Sequence, residues 1–82
     1  MTTARRRSRP QLGVITSWQR GRHTGALKGS VRGIHRALRR LDVPWMWDAD
    51  ASCFLVSINR LDDVLAQLES DGHRVDYLMA GW

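Results

Sequence analysis

The chain has 82 residues and a mass of 9.4 kDa, which allows one domain near the size where a single core is only just sufficient. A hydrophobic fraction of 43% excludes full disorder; no apolar run, Cys53-Phe54-Leu55-Val56 included, approaches the roughly 20 residues of a membrane span; and a lone cysteine excludes an internal disulfide framework and suits a reducing compartment. The net charge of +5 conceals a polar division: residues 1–41 carry ten arginines and Lys28 with no acid, and residues 42–82 carry all 8 acidic residues with Arg60 and Arg74, so the halves stand at +11 and −6.

Residues 1–10 read as a basic arm, with residues 11–82 as one small domain. Extended at about 3.3 Å per residue, the arm reaches roughly 30 Å. Val14-Ile15-Thr16-Ser17-Trp18 is a β-branched run that fits a short strand. Residues 19–26 read as a basic loop. A helix is expected over 27–41, where Leu27, Val31, Ile34, Leu38 and Leu41 fall on one stripe. Thr24 and Ser30 both suit its N-cap, and Pro44 stops it, because the residue before a proline avoids helical geometry. Trp45-Met46-Trp47-Asp48, the turn Ala49-Asp50-Ala51-Ser52 and the run Cys53 to Ile58 form an expected β-hairpin. Phe54, Val56 and Ile58 share one of its faces, and Cys53, Leu55 and Ser57 the other. A second helix is expected over 60–71, with Leu61, Val64, Leu65 and Leu68 inward. Asn59 suits its N-cap, Asp62 and Asp63 its first turn, and Gly72 its C′ position. A last strand over 73–79 puts Val75, Tyr77 and Met79 on one face.

The order is (β)αββαβ, an α+β fold. With the first strand it is the ferredoxin-like split arrangement; without it, a three-stranded sheet with two helices on one face.

The first helix carries the clearest functional signal. Lys28, Arg32, Arg36, Arg39 and Arg40 fall in a sector about 120° wide, almost opposite the apolar stripe. No acid is interspersed to pair with them at i,i+4. Like charges crowded on one face repel unless an anion lies nearby, which points to phosphate contacts. Arg5, Arg6, Arg7 and Arg9 of the arm and Arg20 and Arg22 of the loop extend this surface. The competing reading is a solvated face screened by the acidic half.

Four tryptophans are many for this length. Trp45 and Trp82 are candidates for base stacking or a partner contact, and Trp47 for the core. Gly25, Gly29 and Gly33, four apart, make either a strip for close approach of another backbone or an unrelated set of loop and helix glycines. Asp48-x-Asp50 fits a turn with side-chain-to-backbone hydrogen bonds better than a metal loop. Cys53, His23, His35 and His73 have no zinc spacing, and Cys53 reads as structural. Neither a cofactor motif nor a catalytic constellation emerges, so a non-enzyme is expected.

Pro44-Trp45-Met46-Trp47-Asp48, Leu55-Val56, Leu61-x-x-Val64-Leu65-x-x-Leu68 and Gly72-His73-x-Val75 resemble the HARP-like hairpin–helix–strand module found beside SNF2-type helicases. The resemblance spans residues 44–79 and implies nucleic-acid engagement. The arginine-rich style is also similar to that of small actinobacterial and phage proteins.

The expectation is a small non-enzymatic binder of DNA or RNA that contacts phosphates through its arm and helix face. With about five phosphates neutralised, log K falls with log salt at a slope near −4 to −5 on duplex. The alternative is an inhibitor or adaptor, such as a phage factor, whose basic face meets an acidic protein; polarised halves also suit a homodimer. The arginine-rich start lacks the apolar core of a secretory signal, so no membrane partner and a cytoplasmic location, bacterial or host, are expected.

Overall fold

A computed structural model describes residues 13–78. Their elements are β1 (Val14–Gln19), β2 (Thr24–Lys28), α1 (Val31–Leu41), β3 (Met46–Asp48), β4 (Cys53–Ser57), α2 (Ile58–Ser70) and β5 (Arg74–Leu78). The fold is α+β, as the sequence pattern implies. The sheet has the order β3-β4-β2-β1-β5. All pairings are antiparallel except β1 with β5, which is parallel. Two split β-α-β units result. In β2-α1-β3 the intervening strand is β4; in β4-α2-β5 the intervening strands are β2 and β1.

The sheet has one strand more than the ferredoxin-like alternative and two more than the three-stranded one. Residues 24–28, expected as the end of a loop and the start of a helix, are β2, wedged between β1 and β4. Leu27 therefore belongs to the sheet, opposite Ser17 and Phe54. Lys28 closes β2 and lies on the sheet face away from Leu27, not on the helix. Gly29, at φ 149°, turns the chain out of the strand in a conformation that L side chains resist.

Ser30, not Thr24, caps α1, and its hydroxyl accepts from the Gly33 amide at 3.0 Å. Ile34, Ala37 and Leu38 are its buried residues, and Val31 of the expected stripe is 56% exposed. The helix ends on Asp42 in the left-handed region (φ 57°), with the Val43 amide closing onto the Leu38 carbonyl at 2.9 Å. Ser57, two residues before the expected Asn59, caps α2. The helix consequently has no acid in its first turn. Asp63 pairs instead with Arg60 at 3.3 Å. At the other end Gly72 (φ 103°) lets the His73 amide reach the Leu68 carbonyl at 3.0 Å.

Both helices cover the same sheet face. Ile15, Leu27, Phe54 and Val56 of the sheet join Ile34, Leu38, Leu61, Val64 and Leu68 of the helices in one cluster. Each such buried aliphatic side chain contributes about 1.5–3 kcal/mol. Gly25 lets α2 approach closely: a Cβ there would lie 2.8 Å from Leu61 Cδ2. Among the described residues, no helix is long and apolar enough to cross a membrane.

Candidate functional site

Helix α1 is where the basic residues gather. At 100° per residue, Arg39, Arg32, Arg36 and Arg40 succeed one another around it within about 100°. All four are exposed. Arg39 and Arg40 occupy the last turn, where the helix dipole favours cations. All eight carboxylate side chains lie within the described residues. Their ion pairs join Asp48 to Arg20, Asp63 to Arg60 and Asp76 to Arg74. Among the described residues, no carboxylate pairs with Arg32, Arg36, Arg39 or Arg40.

One flank of this stripe is aromatic. Val31, Arg32, His35, Trp45 and Phe54 line an open hollow of about 590 Å³. Trp45 is 40% exposed and meets His35 in a T-shaped contact, with ring centroids 5.4 Å apart, and Phe54 in another, at 5.1 Å. Trp47, expected in the core, is 45% exposed. It sits on β3, the edge strand among the described residues, with Phe54 beside it at 5.1 Å.

The other flank is polar. Ser30, Arg32, Gly33, Arg36 and His73 line a smaller hollow of about 120 Å³. His73 follows α2 and is 7% exposed. Its Nε2 faces Gly33 so closely that a Cβ at position 33 would come within 2.5 Å of it. Its Nδ1 is buried without a hydrogen-bond partner. Sequence reasoning missed this residue, because nothing local links position 73 to a glycine forty residues earlier. The glycine strip dissolves into three separate roles: Gly25 beneath Leu61, Gly29 at a turn, and Gly33 beneath His73.

The remaining sequence-derived candidates lie elsewhere. Arg20, Asp48 and Cys53 meet on the sheet face opposite the helices. Asp48 Oδ1 also accepts from the amides of Asp50 (3.0 Å) and Ala51 (3.3 Å), the hydrogen-bonded turn expected of Asp48-x-Asp50. The hydrogen bond from Arg20, aided by that from the Ala51 amide, holds the Asp48 carboxyl below the usual carboxylate range. Burial, then the Asp48 charge, pushes the Cys53 thiol up, which keeps it protonated and a poor nucleophile. Arg22 is exposed in the β1–β2 turn, at the end of β2 away from the α1 N-terminus. Arg5, Arg6, Arg7, Arg9 and Trp82 lie outside the described residues. Among the described residues, no group of three His, Cys, Asp or Glu side chains is placed to hold a metal ion.

Comparison of the chain with protein-family models, with curated proteins and with solved structures found no match.

Proposed function

We propose that the protein binds nucleic acid, without catalysing a reaction, and that Arg32, Arg36, Arg39 and Arg40 form its phosphate-contacting surface. The observation that carries this reading is the absence of internal neutralisation. The chain has carboxylates to spare, and those in ion pairs are matched to Arg20, Arg60 and Arg74. Four cations on one helix face without a carboxylate partner among the described residues cost repulsion that an external anion relieves. Guanidinium groups suit phosphate, which they can grip with two parallel hydrogen bonds. The resemblance to the HARP-like module adds to this reading, as does a basic arm able to follow a backbone. A bacterial or host cytoplasm is the setting it implies.

Four phosphate contacts correspond to a salt slope near −3.6 on duplex and near −2.8 on a single strand. Arg32→Ala, Arg36→Ala and Arg39→Ala combined should flatten that slope by about 0.9 per residue removed on duplex. Circular dichroism should be unchanged, because the three side chains are solvent-facing. Titration by fluorescence anisotropy across a salt series measures this. Unchanged affinity in the triple variant would assign the surface elsewhere.

A second reading, an adaptor or inhibitor meeting an acidic protein, draws on Met46 at 69% and Trp47 at 45% exposure on the edge strand β3. Partners captured from lysate that survive nuclease treatment support it; their loss on nuclease supports nucleic acid.

A further inference from the structure

We propose that the two hollows flanking the arginine stripe form one binding site for a single-stranded polynucleotide, taking an unpaired base on the Trp45 side and the adjoining phosphate on the His73 side. This rests on the nucleic-acid reading and selects among the forms that reading allows.

The aromatic hollow, about 590 Å³, falls within the roughly 300–1,000 Å³ typical of pockets for small organic groups. An aromatic surface is what it offers: Trp45 packs edge-to-face with His35 and Phe54 and remains 40% exposed. A base inside a duplex is stacked on both faces and cannot enter a concave wall, whereas an unpaired base can. Arg32 lines this hollow and also the second one, so a base and its backbone would meet the same guanidinium.

The second hollow, about 120 Å³, lies below the size of an organic-ligand pocket and suits a small anion. It lies at the N-terminus of an 11-residue helix, whose first amides and positive dipole end favour negative charge. His73 gives independent evidence of a ligand. It is more than nine-tenths buried and lines the hollow, and its Nδ1 has no hydrogen-bond partner among the described residues. The other ring nitrogen, Nε2, packs directly against Gly33. His73 thus brings an imidazole to the same hollow as Arg32 and Arg36, whose guanidinium groups suit a phosphate oxygen.

The test is a titration of the full chain with oligo-deoxythymidine, oligo-uridine and a DNA duplex of the same length, at low salt. Trp45→Leu keeps the hollow apolar and removes the π-face; Trp45→Phe restores an aromatic face. The wild type should bind the single strands more tightly than the duplex. Trp45→Leu should lose about tenfold on the single strands and nothing on the duplex, and Trp45→Phe should recover most of the loss. Whichever of the two oligomers binds more tightly identifies the strand as DNA or RNA. In parallel, the His73 ring resonances should shift on adding oligo-deoxythymidine. An unmoved ring removes the phosphate half of the site. Duplex binding equal to or tighter than single-strand binding, or equal affinities for wild type and Trp45→Leu, overturns this inference and leaves the phosphate surface standing. No binding to any of the three probes overturns both.

Discussion

Gly33 shows how one missing methyl group can shape a site. In an exposed helix interior, Ala is favoured over Gly by about 1 kcal/mol. Here a Cβ would press to 2.5 Å of a buried imidazole. Overpacking of that kind costs about 1–3 kcal/mol, so Gly33→Ala should destabilise the protein despite its better helix propensity. Urea denaturation of Gly33→Ala, His73→Ala and the double variant checks the mechanism. The double variant should be more stable than the two single losses added together, because removing the ring vacates the space the methyl needs. Strict additivity would show that the two positions do not touch.

Elements differ in how openly the sequence announces them. The hairpin and α2 follow from the apolar run Cys53-Phe54-Leu55-Val56 behind an Asp-containing turn and from the spacing of Leu61, Val64 and Leu68, where local pattern and tertiary packing agree. The strand β2 does not. Thr24-Gly25-Ala26-Leu27-Lys28 has a single β-branched residue, and Leu27 happens to sit at helical spacing from Val31. It is a strand because β1 and β4 both pair with it and because α2 needs a glycine under Leu61. Neither reason is local. The arginine stripe was legible for the opposite reason: four of its five expected members lie on one helix and need only the helical period to align them. Lys28 was the exception, carried off with β2.

The β3–β4 hairpin also carries a pH signature. Arg20 reaches Asp48 on the edge strand, and the Ala51 and Asp50 amides bond the same carboxylate. The folded state thus holds Asp48 ionised to lower pH than an unfolded chain, whose carboxyl titrates near about 3.9. Its contribution to stability is fully present above that value and is lost as pH falls through the depressed folded pKa. Asp48→Asn keeps the turn acceptor and removes the charge. It should be less stable than wild type by a constant amount above about pH 5. The gap should close at lower pH, as read from urea midpoints across a pH series. A gap that stays constant down to the acid limit would show that the ion pair contributes nothing.

At the scale of the whole molecule, the helices cover one sheet face, yet the other is not bare. Ala26 and Cys53 are completely buried on it, with Trp18 and Leu55 flanking Ala26 in register and Arg20 in contact with the Cys53 sulfur. Cys53 consequently reports on opening of the fold. Its labelling by a thiol reagent at neutral pH should be slow and should accelerate with denaturant in parallel with global unfolding. Fast labelling in native buffer would mean that this face opens independently of the core.

The β1–β5 pairing joins residues far apart in the chain. Val14 pairs with Arg74 and Ile15 with Val75, a separation of 60 positions, whereas the β1–β2 and β3–β4 hairpins close locally. Bringing such distant ends together costs about 3–4 kcal/mol of loop entropy beyond the cost of ordering the strands, which makes β5 the natural last arrival during folding. His73 immediately precedes β5 and is carried into place with it. A chain still emerging from the ribosome can display the arginines of α1, but it has no imidazole beneath Gly33 until its final described strand has docked. The proposed hollow is therefore completed only when β5 pairs with β1, and a chain whose β5 has not yet docked lacks the imidazole that lines it.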